Sequence, residues 1–152
     1  MNLVIRRVVD DFDLKKLREF MFGQPQLYPG YEGWVDEVCI PGIERGERRG
    51  IIAVSHGLVV GDAVWKDLGE RRIELKNFRI GKGYSNRFLG RFLLEQVQAE
   101  NPGKDLGLDV SVRNFEGVRF FLLNGCRIVG AEALYRQGQL EYLMEKPALA
   151  VA

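Results

Sequence analysis

The sequence predicts an α+β, or mixed α/β, protein in which a mostly antiparallel sheet is flanked by helices. Short apolar runs of strand character occur at seven places along the 152 residues. Tight turns at His56-Gly57 and at residues 136–138 connect two adjacent pairs of these runs, which is typical of antiparallel hairpins. A long amphipathic helix separates the fourth run from the fifth, as in a crossover between two strands of one sheet.

The elements follow the order β-α-α-β-β-β-α-β-α-β-β. Apolar patterning predicts strands at 3–9, 50–55, 58–66, 72–80, 106–112, 126–134 and 139–146. It predicts helices at 12–22, 87–100 and 115–124, with a further helical face within 27–46. Asp10-Asp11 offers a cap for the first helix, and Ser85-Asn86 opens the helix after the fourth strand. The alternation breaks between Leu75 and Phe78, which is compatible with a β-bulge.

The bulk composition fits one compact domain, which we place at residues 1–147, followed by a tail at 148–152. The net charge is +1, so no bulk attraction to nucleic acid or to a membrane surface is expected. The first residues lack the apolar core of a signal peptide. No run approaches the roughly 18 apolar residues of a membrane span. A cytoplasmic location is therefore the default expectation.

The scarcity of nucleophilic and metal-binding side chains limits the chemistry. The chain has one histidine, His56, and two cysteines, Cys39 and Cys126, that lie far apart. It has three serines and no threonine. This composition argues against a Ser-His-Asp hydrolase and against a multi-histidine zinc site. We expect no metal and two buried thiols.

Two segments point to a family. Residues 73–91, IELKNFRIGKGYSNRFLGR, lead a strand through a turn into a helix, which presents backbone N–H groups to an anion. Residues 114–130, NFEGVRFFLLNGCRIVG, place an asparagine before a short helix with an aromatic pair, then a glycine and a final hairpin. With the order of elements, these segments resemble the GNAT superfamily of acyl-CoA-dependent N-acetyltransferases. The resemblance implies a GNAT-like sheet of about seven strands.

The resemblance also implies that acetyl-CoA is the cofactor and that its pyrophosphate lies after the fourth strand. The loop of the family reads Gln/Arg-x-x-Gly-x-Gly/Ala. The residues here in that register are Ser85, Asn86, Arg87, Phe88, Leu89 and Gly90. Only Gly90 fits, since Ser85 stands where Gln or Arg is usual and Phe88 replaces the first glycine. The donors are backbone N–H groups, which any residue but proline supplies. Arg91 would add positive charge.

Asn114 and Phe121 match positions with roles in the family. The resemblance implies that Asn114 hydrogen-bonds the cofactor or its pantetheine arm, and its place also suits an N-cap, so both roles stay open. The position of Phe121 commonly carries a tyrosine that protonates the leaving thiolate, which phenylalanine cannot do. This chain therefore lacks the acid, uses another group, or releases the thiolate unassisted.

Glu74 matches the catalytic glutamate of some members, where a carboxylate takes the proton of the amine acceptor. Glu70 and Asp109 are alternative bases, and a solvent-facing role for Glu74 opposite Arg72 stays open. The resemblance further implies a splayed strand end that holds the pantetheine through backbone bonds and polarises the thioester carbonyl. The residues at that strand end are Phe78, Arg79 and Ile80.

The function that the resemblance implies is direct transfer of an acetyl group from acetyl-CoA to a primary amine of a small molecule or protein. The aromatic residues Tyr28, Tyr31 and Trp34 are candidates for the wall of the substrate pocket, or for cover over a core edge. Two alternatives stay open: a non-catalytic acyl-CoA sensor, and a scaffold without cofactor in which Phe88 fills the pyrophosphate site. The final hairpin offers a surface for a homodimer.

Overall fold

The protein forms a seven-stranded sheet with helices on both faces, in a computed structural model that describes residues 2–26, 28–85 and 88–149. The strands are β1 (Leu3–Arg7), β2 (Arg49–Ser55), β3 (Leu58–Asp67), β4 (Arg72–Ile80), β5 (Asp105–Ser111), β6 (Arg127–Arg136) and β7 (Gln139–Lys146). The helices are α1 (Asp11–Phe22), α2 (Tyr31–Trp34), α3 (Ile40–Glu44), α4 (Leu89–Glu100) and α5 (Phe115–Leu123). The predicted fold class and number of strands are confirmed.

The strands lie in the order β1-β2-β3-β4-β5-β7-β6. Neighbouring strands are antiparallel except β4 and β5, which are parallel because α4 carries the chain back to the start of the sheet. This parallel pair is short, since residues 72–74 of β4 meet residues 105–107 of β5 and the described pairing ends there. Beyond that point β4 bonds to β3, and β5 bonds to β7. The sheet therefore opens into a cleft between its two halves.

The core lies in two layers, one on each face of the sheet. One layer packs β2 to β5 and β7 against α4 and α5, and it contains Ile51, Trp65 and Leu93. The other packs β2 and β3 against α1, α2 and a π-helical turn at Val35–Cys39, and it contains Ile52. Because Ile51 and Ile52 point to opposite layers, β2 is a continuous apolar run rather than an alternating one.

Short-range signals in the sequence set several elements. The carboxylate of Asp10 accepts a hydrogen bond from the Asp13 amide at 2.8 Å and caps α1, as predicted. His56 and Gly57 both have positive φ, at 51° and 78°, which the tight hairpin between β2 and β3 requires. Cys39 and Cys126 are buried free thiols, as expected.

Several boundaries differ from the prediction by one or two residues, and two of them, in β1 and α4, have a visible cause. The first strand ends at Arg7 rather than at residue 9, because Val8 already donates to the carbonyl of Gly50 outside the ladder. Helix α4 begins at Leu89 rather than at residue 87, and its N-cap is Phe88 instead of Ser85-Asn86. Ser85 lies in a turn, and Asn86 and Arg87 lie outside the described residues.

Candidate active site

The candidate site is the cleft between β4 and β5, and a bulge shapes its β4 side. Val64 of β3 pairs with Asn77 and Trp65 pairs with Leu75, so Lys76 has no partner on β3. This is the β-bulge that the broken alternation predicted. Val64 and its partner Asn77 face the layer of α1 and α2. The nearest residues of β4 on that same face are 74, three positions before Asn77, and 79, two positions after it. The bulge thus puts unevenly spaced residues of β4 on one face.

The α5 side of the cleft is a wall of three phenylalanine rings. The ring centroids of Phe78 lie 5.5 Å from Phe120 and 5.6 Å from Phe121, and those of Phe120 and Phe121 are 5.1 Å apart. Phe121 is buried. This wall carries no proton donor, since a phenylalanine ring has no O–H group.

The opposite face carries two tyrosines and two carboxylates. The Tyr135 hydroxyl donates to the carboxylate of Asp109, at 2.6 Å from Oδ1 and 2.5 Å from Oδ2. The Tyr28 hydroxyl lies 3.4 Å from Oε2 of Glu141, and the two tyrosine rings are 5.1 Å apart. Because Glu141 pairs with Ser111, two residues after Asp109, both carboxylates project on the same face. We call these four residues the Tyr–carboxylate cluster.

The Tyr–carboxylate cluster is electronegative. Burial, reinforced by the charge of Asp109, raises the pKa of Glu141. Burial and the charge of Glu141 raise the pKa of Tyr28 to about 12. Burial and the hydrogen bond to Asp109 raise the pKa of Tyr135 as well. In the part of the chain that the structure describes, neither carboxylate forms an ion pair with a lysine or arginine. This face therefore favours a cation.

A second polar network is buried beside the bulge. The Tyr31 hydroxyl donates to Oδ1 of Asn77 at 2.8 Å, and Nδ2 of Asn77 donates to Oδ2 of Asp62 at 2.8 Å. Burial raises the pKa of Asp62 to about 7, although the Asn77 hydrogen bond and the charge of Arg79 oppose this. The network joins α2 to β3 and to the open half of β4.

The aromatic residues predicted to line a substrate pocket separate into two places. Tyr28 belongs to the Tyr–carboxylate cluster. Tyr31 is 6% exposed and Trp34 stacks on it with ring centroids 5.9 Å apart, so these two cover the core beside α1.

Arg79, one of the predicted strand-end residues, ties the loop before α2 to β4. Its guanidinium donates to the Pro25 carbonyl at 3.0 Å and lies 5.1 Å above the centre of the Tyr31 ring. Phe78 and Ile80 face the opposite layer and pack against the core of α4 and α5. The backbone of this strand end therefore remains the part that can meet a ligand in the cleft.

The start of α4 supplies amides near the end of β4. The first helical bond runs from the Phe92 amide to the Phe88 carbonyl at 3.0 Å, so the amides of Leu89, Gly90 and Arg91 precede the helical ladder. Leu89 packs in the core, and Arg91 pairs with Glu95 at 3.0 Å.

Gly90 is required by packing. A Cβ at this position would lie 2.8 Å from the Phe120 ring, so only glycine lets α4 approach α5 so closely. Gly90, the residue that matches the family pattern, thus lets α4 pack directly against the Phe120 ring of the phenylalanine wall.

Phe88 does not fill the start of α4. Its side chain is 74% exposed, and its backbone is left-handed with φ of 34°. A glycine adopts this conformation readily, whereas an L-residue is strained in it. The backbone path suited to the missing glycine is therefore kept, and the ring is turned into solvent.

Asn114 caps α5. Its Oδ1 accepts a hydrogen bond from the Gly117 amide at 3.0 Å. A cavity of about 430 Å³ adjoins it, lined by Ser111, Arg113, Asn114, Phe115, Glu116 and Gln139. Asn114 thus lies at the end of β5, where the cleft is open.

The candidate bases occupy different ends of the cleft. Glu74 lies at the closed end, 3.5 Å from Arg72, which also binds Glu145 at 2.7 Å. Asp109 lies on β5 beyond the paired residues and is held by Tyr135. Glu70 is exposed in the turn before β4.

A larger cavity of about 580 Å³ lies at the other end of the molecule, between the start of β2 and the end of α4. Its lining includes Arg7 and Glu100, which pair with each other.

Over residues 2–26, 28–85 and 88–149, no helix is long and apolar enough to cross a membrane. Nor do these residues bring three His, Cys, Asp or Glu side chains together to hold a metal ion.

Several polar residues of this region escaped the sequence analysis. Asp62 had a signal, because it interrupts the buried apolar run VVGDAVW. Glu141 had none, and Tyr135 stood out only as a phenol that the sequence does not place. The two lie on different strands of a polar-looking hairpin and meet Tyr28 and Asp109 only through the sheet register.

Comparison with known proteins defines the fold. No protein-family model and no curated protein sequence matches the chain. A GNAT-family protein from Desulfovibrio desulfuricans matches in structure with a TM-score of 0.80 at 19% identity, over 97% of this chain and 99% of that one. The PaiA N-acetyltransferase of Thermoplasma acidophilum, in complex with coenzyme A, matches with 0.70 at 18% identity, over 97% and 99%.

An aminoglycoside 6′-N-acetyltransferase complexed with coenzyme A matches with a TM-score of 0.76 at 15% identity, over 98% of this chain and 99% of that one. The chain has the GNAT fold, the fold of these acetyltransferases. The resemblance drawn from the sequence is confirmed at the level of the fold.

Proposed function

We propose that the chain is an acyl-CoA-dependent N-acyltransferase that moves an acetyl group directly from acetyl-CoA to a primary amine of a small molecule or protein. The observation that carries the proposal is the cleft where β4 and β5 part after three paired residues. Two structures of the same fold hold coenzyme A. The unpaired strand edges offer backbone donors and acceptors to an extended pantetheine arm.

The cofactor would lie along the open half of β4 and reach the start of α4. The backbone of Phe78, Arg79 and Ile80 would hold the pantetheine and polarise the thioester carbonyl. The amides of Leu89, Gly90 and Arg91 would bind the pyrophosphate, because a helix start attracts anions. The other residues assigned to the cofactor are Ser85, Asn86, Arg87, Phe88, Asn114 and Phe121.

The electronegative face of the cleft supports an amine as the acceptor. An amine is a cation at neutral pH, and the Tyr–carboxylate cluster lies on the face where the acceptor would approach. A carboxylate is also the group that can take the proton the amine must lose before it attacks. Alignment of amine and thioester in the cleft then supplies much of the rate.

Two carboxylates compete for the role of base. Glu74 is the residue that the resemblance selects, yet Arg72 beside it would repel a cationic amine. Asp109 lies on the open half of β5 and has no ion pair among the described residues. We propose both as candidates and let substitution decide between them.

Calorimetric titration with acetyl-CoA tests the cofactor site. Asn114→Ala should weaken binding if the amide contacts the cofactor. Asn124→Ala is the matched control, because Asn124 donates to the Phe120 carbonyl at 2.8 Å and caps the other end of the same helix. Equal weakening by both variants would assign Asn114 a structural role only. Absence of binding by the unaltered protein would contradict the proposed function.

Acetyl transfer to a panel of primary amines tests the base. The variant of the true base, Glu74→Gln or Asp109→Asn, should lose roughly 100-fold or more in kcat and lose the acidic limb of the pH profile. Glu47→Gln, on the exposed loop before β2, is the control and should keep full activity. Full activity in both cleft variants would contradict a carboxylate base.

A sensor that binds acetyl-CoA without turnover is the second candidate. The phenylalanine wall favours it, since Phe121 offers no proton to a leaving thiolate. Tight binding of acetyl-CoA with no acetyl transfer to any amine of the panel would select this function.

We also propose that the chain forms a homodimer through the final hairpin. The exposed apolar side chains Ile128, Val129 and Leu134 lie on β6, the last strand of the sheet order. Sedimentation equilibrium checks this, and a monomer at micromolar concentration would contradict it.

A further inference from the structure

The cavity of about 580 Å³ at the start of β2 is separate from the cleft. Its volume falls within the roughly 300–1,000 Å³ that small-molecule sites occupy. It extends around the end of the sheet, because its lining takes Ile43 from the layer of α1 and α2 and Trp65 from the layer of α4 and α5. None of the described residues assigned to the cleft lines it.

Two buried donors at this cavity have no hydrogen-bond partner. Among the described residues, four buried side-chain atoms lack a partner, and only two of the four are N–H donors, Nε of Arg48 and Nε1 of Trp65. Both donors belong to residues that line this cavity. Buried donors are nearly always satisfied in a folded protein. Each of these two therefore calls for an acceptor that the described residues do not supply.

Packing holds both side chains in place. Trp65 is 2% exposed and pairs across the sheet with Arg49, the residue after Arg48, so the two donors come from neighbouring parts of the sheet. The Arg48 stem lies against Gly42, where a Cβ would come within 3.1 Å of the Arg48 Cδ atom. The Arg48 amide also donates to the Gly42 carbonyl at 3.1 Å. Donors ordered in this way lose little conformational freedom when a ligand binds.

The charge at the cavity favours an anion. Arg48 forms no ion pair in the part of the chain that the structure describes. Glu100, which also lines the cavity, is paired with Arg7. The other lining carboxylates, Asp11 and Glu44, are exposed, so water and salt screen their charge. A guanidinium has donors and no acceptor, and carboxylate and phosphate oxygens are its strongest partners.

Much of the remaining lining is apolar. Val8, Leu14 and Ile43 contribute to the wall of the cavity. A bare inorganic ion would leave this surface in contact with water, whereas an organic anion would cover it. The ligand expected here therefore has a charged end and an apolar body.

We propose that this cavity binds a small organic anion. Its carboxylate or phosphate oxygens accept hydrogen bonds from Nε of Arg48 and Nε1 of Trp65, and its apolar body lies against Val8, Leu14 and Ile43. The inference does not depend on the proposed acyl transfer, because the cavity and the cleft have no described residue in common.

The two tryptophans of the chain give the test an internal reference. Each contributes one indole N–H signal to a proton–nitrogen correlation spectrum. Trp34 stacks on Tyr31 and does not line the cavity. Titration with benzoate and with phenyl phosphate, at constant ionic strength, should shift the Trp65 signal saturably and leave the Trp34 signal in place. The anion that saturates at the lower concentration identifies the head group. Benzyl alcohol, a neutral probe of similar size, should shift neither signal.

Arg48→Gln and Arg45→Gln are matched variants on the loop before β2. Arg45 pairs with Glu47 at 3.0 Å and does not line the cavity. Arg48→Gln should raise the dissociation constant of the anion roughly 10-fold or more, whereas Arg45→Gln should leave it unchanged. Trp65→Phe keeps an aromatic ring without the N–H group, and it should also weaken binding, measured from the signals of the probe.

Several outcomes would overturn the proposal. No saturable shift of the Trp65 signal with either anion at millimolar concentration would mean that water satisfies both donors. Equal shifts of the Trp65 and Trp34 signals would place binding elsewhere. Benzyl alcohol that binds as tightly as the anions, or equal affinity in Arg48→Gln and the unaltered protein, would contradict an anion site. If Arg48→Gln does not fold, Arg48→Lys, which keeps the charge and loses the Nε–H group, replaces it and should also weaken binding.

Discussion

Phe88 shows how one residue can depart from a sequence pattern and still keep the backbone that the pattern encodes. It has φ of 34°, a left-handed conformation that costs an L-residue about 1–2 kcal/mol. Its ring is 74% exposed, so little apolar burial offsets that cost. The strain is maintained by the strand before it and the helix after it, both anchored in the core.

Glycine and alanine should therefore rank in opposite orders at two exposed positions of α4. At Phe88, the Gly variant should be more stable than the Ala variant by about 1 kcal/mol, because glycine relieves the left-handed strain. At Phe92, which is 51% exposed inside the helix, the Gly variant should be less stable than the Ala variant by about 1 kcal/mol. Urea unfolding of the four variants measures both differences. The same order at both sites would mean that Phe88 is not strained.

At the scale of elements, the junction of α2, β3 and β4 holds an ionisable group in the core. Asp62 is fully buried, and its carboxyl is bound by Asn77 at 2.8 Å, which in turn is bound by Tyr31. A buried carboxylate is costly unless a partner compensates it. This fixed chain of hydrogen bonds sets the orientation of the Asn77 amide next to the bulge. We interpret the burial of the Asp62 carboxyl, although it costs free energy, as the means by which the Asn77 amide is held in one orientation.

The stability of the protein should fall as pH rises from about 4 to about 7 through Asp62. The folded-state pKa is raised to about 7 from 3.8, so over this window the native state keeps a proton that the unfolded chain has lost. Below the window both states are protonated, and above it the full cost is present. Asp62→Asn removes the titration, so the difference in free energy of unfolding between variant and parent should shift in favour of the variant as pH rises.

Urea unfolding at pH 5 and at pH 8 measures this shift. Asp67→Asn is the control, because Asp67 lies on the same strand but is exposed and paired with Lys104 at 2.7 Å. The difference in free energy of unfolding between Asp67→Asn and the parent should not shift between pH 5 and pH 8 in the way expected for Asp62→Asn. If the difference for Asp62→Asn stays constant across the window, the carboxyl is not held protonated by burial.

The sequence predicted individual strands and helices better than it predicted the contacts between them. Alternation located β4 at residues 72–80 and even its bulge, because both are properties of one strand. The region before β2 was harder, since its helical face is broken into α2, a π-helical turn and α3, with Pro41 in the first turn of α3. The site residues Tyr135 and Glu141 depend on strand register across the sheet, which local patterning does not encode.

For the molecule as a whole, the sheet is two antiparallel halves that meet at one short parallel pair. Strands β1 to β4 form one half, and β5, β7 and β6 form the other. Only residues 72–74 and 105–107 join them in the described ladder. The shared apolar layer, with Leu93 and Leu94 from one half and Leu106 and Met144 from the other, must therefore supply most of the cohesion.

Cutting the chain at the loop between the halves should yield fragments that reassemble. Gly103 lies in an exposed turn with φ of 77°, between α4 and β5. Fragments 1–102 and 103–152, expressed together, should form a one-to-one complex held by the shared apolar layer. The second fragment alone should remain unfolded, because α5 by itself covers only part of its apolar face once α4 and the other strands are absent. Size-exclusion chromatography and circular dichroism check this, and two soluble fragments that do not associate would contradict it.

The phenylalanine wall has a consequence for what happens when no acceptor is present. If acetyl-CoA occupies the cleft as proposed, three aromatic rings shield one side of its reactive bond from water. Hydrolysis needs a water molecule positioned beside that bond, and a hydrocarbon surface offers none a hydrogen bond to hold it there. With acetyl-CoA bound and no acceptor present, the protein would therefore hydrolyse the thioester slowly. The acetyl group would stay available for transfer until an amine binds.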